Sequence, residues 1–207
     1  MKRNIFLFVF LAVVCLSLQA QQTDEEYRQV IYGRASKIVA QLSMADEAAR
    51  QVMTELIARQ YIELGKVNDA YAEKSKGLQG EELDDVKAWQ QQKLSALHYA
   101  FVSNLCARLT GEQVETVKNG MTMWVLPHTY QAHLDMIPTL TQEEKDYILA
   151  ALMEAREYAM DCSDSKAKHA WFGKYKGRIN NYLSKRGYDL KKEREAWNLR
   201  IKAAAGH

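Results

Sequence analysis

Three stretches of this chain begin alike, and the repetition commits much of it to helices. "LSMADEAARQVMTELI" from Leu42, "LTGEQVETVKNGM" from Leu109 and "LTQEEKDYILAALMEA" from Leu140 each set a leucine before Ser or Thr, with an acid or Gln three residues beyond the hydroxyl. This is the pattern of a reciprocal helix cap. The hydroxyl accepts from a backbone N–H that has no partner within the helix, and the acid or amide reaches back to the cap's own N–H. Ser43, Thr110 and Thr141 are therefore expected as helix starts rather than catalytic hydroxyls, with Asp46, Gln113 and Glu144 as their partners. The shorter Asp46 makes the first box the weakest. Proline, which breaks helices, occurs only at Pro127 and Pro138.

Apolar spacing adds further helices. Tyr27, Val30 or Ile31, Arg34, Ile38 and Leu42 recur at three or four residues, as do Leu94, Leu97, Phe101 and Leu105 after the acidic loop "QGEELDD". Leu190, Arg194, Trp197 and Ile201 mark a last helix, separated from what precedes by Gly187. The expected fold is mainly α, a single-domain helical bundle of about six or seven helices. The exception is "NGMTMWVLPHTYQAHLDMIPT", residues 119–139, where Gly120, both prolines and β-branched and aromatic residues predict a long irregular crossover with at most a short central helix. Loops of that length inside a domain tend to be functional. This one holds Trp124, His128, Tyr130, His133 and Asp135.

The chain opens with "MKRNIFLFVFLAVVCLSLQA": Lys2 and Arg3, a short apolar run, then Ala20 before "QQTDEE". Residues 1–20 read as a signal peptide and 21–207 as the mature helical domain, periplasmic or secreted, with no transmembrane anchor. The run is shorter than the ~20 residues a membrane span requires. Lipid attachment at Cys15 is disfavoured by its bulky neighbours Val14 and Leu16. Of the remaining cysteines, Cys106 and Cys162 either pair in an oxidising compartment or stay free.

The net charge of +2 conceals a division, because Lys166 to the end carries 12 Lys and Arg against 3 Asp and Glu. Either this basic end packs against the acidic body or it offers a patch to an anionic partner. Outside the cytoplasm that partner is an acidic polysaccharide or an anionic surface, and no nucleic acid is expected.

Within "HAWFGKYKGRINNYLS", residues 169–184, a helical step puts Trp171, Phe172, Tyr175, Ile179, Tyr182 and Leu183 in one arc about 120° wide, the mark of a buried stripe. Lys174, Arg178, Asn181 and Lys185 form an adjacent ridge. Arg and Asn donate directional hydrogen bonds to hydroxyls or carboxylates, and an exposed indole gives the apolar face of a sugar a surface to stack on. Gly173 and Gly177 share another face, where close approach of a second backbone is the expected reason for tolerating glycine. His128 and His133, five residues apart, miss the spacing of a helical zinc pair, so neither metal nor cofactor is expected. No phosphate loop, nucleophile elbow or Cys/His nucleophile motif is present, and the many acids make any carboxylate pair uninformative.

The stretches "MTMWVLPHTYQAHLDMIPTLTQEEKDYI" and "KHAWFGKYKGRINNYLSKRGYDL" resemble a family of exported Bacteroidetes proteins, a domain of unknown function described as sugar-binding. The resemblance spans most of the mature chain. It implies an exported protein that accompanies polysaccharide utilisation, and it supplies no catalytic residues. Joined to the residue reading, it gives a candidate carbohydrate site of Trp124, His128, Tyr130, Trp171, Lys174, Arg178 and Asn181, in a groove between the crossover and the 169–184 helix. Leu109, Thr110 and Gln113 also resemble the Leu-Thr-x-x-Gln family of small helical periplasmic chaperones, which makes a chaperone or interaction module the alternative. A glycan-active hydrolase, with two carboxylates facing across a cleft, is the second alternative.

Overall fold

The computed structural model describes residues 25–205. Residues 1–20, with the expected signal peptide and Cys15, lie outside the described residues. Among the described residues the protein is mainly helical and has no strand. Its eight α-helices are α1 (residues 25–39), α2 (Glu47–Lys74), α3 (Gly80–Cys106), α4 (Gly111–Met121), α5 (Val125–Met136), α6 (Gln142–Met160), α7 (Ser165–Lys185) and α8 (Leu190–Ala205), with a short 3-10 turn at Ala40–Leu42. The chain separates into two compact units at Ile62.

In the first unit the buried positions of α1 and its turn are Ile31, Ala35, Ile38, Val39 and Leu42, whereas Tyr27 and Arg34 are exposed. The inward stripe keeps Ile31, Ile38 and Leu42 of the expected spacing, with Ala35 and Val39 inward in place of Tyr27 and Arg34. Ser43 does not cap α2. It closes the 3-10 turn in a left-handed conformation (φ 50°), and Asp46 caps instead, its carboxylate accepting from Ala48 N at 3.1 Å and Ala49 N at 3.2 Å. The weak box has yielded to its own acid, which binds the first amides directly.

The second unit holds the rest of α2 and the helices from α3 onward. The acidic "QGEELDD" is not a loop but the start of α3, with Glu81 and Glu82 in its first turn, where carboxylates suit the positive end of the helix dipole. The capping boxes at Thr110/Gln113 and Thr141/Glu144 are both formed. The 119–139 crossover contains α5, which raises the helix count above six or seven. Pro127 stands at the third position of α5, where its missing N–H has no intrahelical partner to lose, and Pro138 lies just beyond the helix end. Irregular backbone is left at residues 137–139 and at the α4–α5 corner, where Met123 and Trp124 both adopt φ 58°. Thr122 Oγ1 donates to Lys118 O and Trp124 N to Asn119 O, which fixes that corner.

The core of this second unit is built on an α6–α7 hairpin. Its short turn makes the helices antiparallel neighbours. Ala151, Ala155 and Ala159 recur every fourth residue on α6, so α7 can approach closely and fill the space with Phe172, Tyr175, Ile179 and Leu183, all buried. Leu126 and Met136 of α5, with Ile137 and Leu140 beyond it, join the same cluster. Burying a side chain such as Phe172 contributes roughly 1.5–3 kcal/mol. The α7 helix ends as Gly187 requires: at φ 99° it lets its N–H meet Ser184 O while Tyr188 N reaches Leu183 O at 3.2 Å. The last helix, α8, buries no residue completely; Leu190 and Trp197 lie half-buried against the cluster, and Arg200 Nη2 donates to Asp135 O at 2.8 Å, at the carbonyl end of α5.

Candidate functional site

An open groove of about 800 Å3 runs over the second unit, and three helices supply most of its lining. From α3 come Lys87, Gln91, Ser95, His98 and Tyr99; α6 gives Glu154, Glu157 and Tyr158, with Asp161 following its end; Asp164, Ala167 and Trp171 come from the start of α7. In each helix the spacing of three, four or seven residues puts these side chains on one face.

The polar floor is a chain of charges. His98 Nδ1 lies 3.1 Å from Asp161 Oδ1, and His98 Nε2 lies 3.5 Å from Glu157 Oε2. Lys118 Nζ donates to Glu157 at 2.8 Å, and the fully buried Arg156 joins Glu157 to Glu115 and Asn119. The hydrogen bond to Asp161 holds the His98 imidazolium above its ordinary range, against the opposing pull of burial. Burial draws the Glu157 carboxyl upward, but Lys118 and Arg156 together outweigh it and keep the group below its ordinary value.

Rings form the walls. Trp171 stacks on Tyr158 at 4.5 Å with 16° between their planes, and Lys174 Nζ lies 4.8 Å over the Trp171 ring. With Tyr158 stacked on it and the Lys174 ammonium over it, the indole has much of its ring surface already occupied. Tyr158 is 47% exposed, and Tyr99, standing edge-on to His98, is 74% exposed. These two tyrosines hold the free ring surface among the groove's lining.

Of the seven residues singled out from sequence, Trp171 lines this groove. The 169–184 segment is helical as expected, with Phe172, Tyr175, Ile179 and Leu183 inward and Lys174, Arg178, Asn181 and Lys185 exposed. Lys174 covers Trp171, while Arg178 lies over Tyr175 at 4.6 Å and 3.4 Å from Glu154. Burial pushes Tyr175 up to about 12. Trp124 is half-buried at the head of α5, His128 is exposed on that helix, and Tyr130 packs against the core cluster. Buried His133 makes an ordinary contact, its Nδ1 lying 2.7 Å from Thr129 O, and Asp135 accepts from Gln131. Among the described residues no three His, Cys, Asp or Glu come together as a metal site.

Gly173 and Gly177 overturn one expectation: a Cβ at either would meet nothing within 4 Å, so no backbone crosses there. Cys106 and Cys162 are free thiols. The basic end meets the acidic body in part, through Arg178 to Glu154 and Arg186 to Glu143 at 2.9 Å and Glu144 at 3.2 Å. Sequence reasoning had no signal for Tyr99 or His98. Tyr99 is a lone exposed ring, and His98, one turn from both Leu94 and Phe101 on the apolar face of α3, reads as an ordinary half-buried histidine.

Fold and groove together define a protein that is all-helical among its described residues and carries an open, aromatic-walled, carboxylate-floored groove. Residues 28–203 match the family described as "Protein of unknown function (DUF3826)", and the chain belongs to that family. No curated protein matches it. Among the described residues no helix is long and apolar enough to cross a membrane.

Proposed function

We propose that this is an exported carbohydrate-binding protein and that the groove between α3 and the α6–α7 hairpin is its site. The observation that carries the reading is the pairing of exposed tyrosine faces with directional polar groups along one groove. Tyr99 and Tyr158 provide ring surface for the apolar face of a pyranose, while Gln90, Gln91, Ser95 and Glu154 lie within the same lining to meet hydroxyls. Trp171 acts as a braced wall rather than the stacking platform, and Lys174 acts through it. Trp124 at the head of α5, and His128 and Tyr130 within it, are not needed for this site.

Calorimetric titration with a panel of neutral, amino and acidic oligosaccharides tests the reading. Saturable binding that Tyr99→Ala abolishes is expected. Absence of binding across the panel would refute it. A hydrolase would require carboxylates facing each other across the cleft; the lining acids come from α6, the turn after it and the cap of α7, and the opposite α3 wall brings no acid but amides, Ser95, Lys87 and His98.

A further inference from the structure

We infer that the groove selects glycans bearing free ammonium groups, chains of 2-amino-2-deoxy sugars, over glycans built from uronates. The inference rests on the carbohydrate reading of the same groove and names its substrate class.

Four carboxylates line the groove, Glu154, Glu157, Asp161 and Asp164, against two basic side chains, Lys87 and His98. Both bases already face carboxylates. Lys87 Nζ is held at 2.9 Å by Asp84 on its own helix, and the two ring nitrogens of His98 face Asp161 and Glu157. Lys118 and Arg156 satisfy Glu157. The lining as a whole therefore keeps an acidic excess. Glu154 is about half exposed; the Tyr175 hydroxyl hydrogen-bonds it and Arg178, itself equally exposed, approaches to 3.4 Å, which leaves the exposed part of the carboxylate toward the groove. Asp164 is exposed and uses Oδ1 to cap α7.

The rings lead to the same answer independently. The faces of Tyr99 and Tyr158 are electron-rich, so they attract an ammonium and repel a carboxylate. No arginine lines the groove to offer a uronate the two-pronged donor that best recognises a carboxylate. An amino sugar can place its ring against a tyrosine and its ammonium against Glu154 or Asp164. A uronate meets like charge in both places.

The test is a titration of the full chain at low ionic strength and mildly acidic pH with three oligosaccharides of equal length: a glucosamine oligomer, its N-acetylated counterpart and an oligogalacturonate. The amine oligomer is expected to bind about tenfold more tightly than the acetylated one, and the uronate not at all. Added salt should weaken only the amine oligomer, and Glu154→Gln should narrow its advantage. Tyr99-dependent binding of the acetylated or uronate oligomer at equal or greater strength would overturn the inference while leaving the carbohydrate reading intact. If no oligosaccharide binds, both fall. Spermidine is the control: binding as tight as the amine oligomer and indifferent to Tyr99→Ala would reduce the groove to a simple cation trap and overturn the inference as well.

Discussion

Tyr99 and Trp171 both line the groove, yet their surroundings give their substitutions different signatures. Tyr99 is 74% exposed, so Tyr99→Ala is expected to remove ligand binding while changing stability by no more than about 0.5 kcal/mol. Trp171 is stacked on Tyr158, covered by Lys174 and packed against the core cluster. Trp171→Ala should therefore cost about 2–4 kcal/mol in denaturant unfolding as well as distort the groove. Gly173 and Gly177 present the reverse case. Both stand in helix with open space where a Cβ would go, so Gly173→Ala and Gly177→Ala should each stabilise by about 0.5–1 kcal/mol. A loss of stability in either would mean that something does approach that face. At this scale the sequence was legible where residues repeat and silent where they stand alone. Trp171 was found because a period of buried rings leads to it; Tyr99 has no such period, and the double cover on Trp171 depends on Tyr158, which reaches it from another helix.

Caps and ion pairs decide the behaviour of single elements. Glu144 is buried at the start of α6, and hydrogen bonding to Thr141, then to Tyr188 and Arg186, lowers its carboxyl to about 2 from an ordinary 4.5. A depressed carboxyl stabilises the fold above its unfolded value, and that stabilisation is lost as pH falls from about 4.5 toward 2. Wild type should therefore exceed Glu144→Gln in stability at neutral pH, with the gap closing through that window; a gap independent of pH would contradict the assignment. His98 has the opposite sign. Its raised value means that the tie to Asp161 is present below the ordinary histidine range and is lost as pH rises through the folded value. NMR titration should find His98 above the ordinary 6.5, and Asp161→Asn should bring it down. The Thr110 and Thr141 caps were readable because a capping box is purely local. The first box was not, since Asp46 could serve either as partner to Ser43 or as the cap itself. The crossover was misjudged for a related reason: two prolines look like breaks until their positions place one in the first turn of α5 and the other past its end.

At the scale of the whole molecule there are two compact units, and in the second the α6–α7 hairpin carries the core while α8 lies at its margin. Amide exchange should accordingly be slowest near Leu152 and Ile179 and fastest in α8, which buries no residue completely. The helical class of the fold followed from periodicity and caps. The groove did not, because its walls come from α3, α6 and α7, and only tertiary packing brings those faces together. The charge division was visible as a bulk asymmetry, but its structural result is mixed. Arg178 and Arg186 meet the acids of α6, while Lys174 and Lys185 remain exposed.

The most direct measurement is a side-by-side calorimetric titration of wild type and Tyr99→Ala against the same oligosaccharide panel, with melting temperatures recorded for both. The groove assignment calls for saturable binding by wild type, strongest for the amine-bearing oligomer, and for its disappearance in a variant that melts as wild type does. Equal affinity in the two proteins, or silence from both, would contradict it.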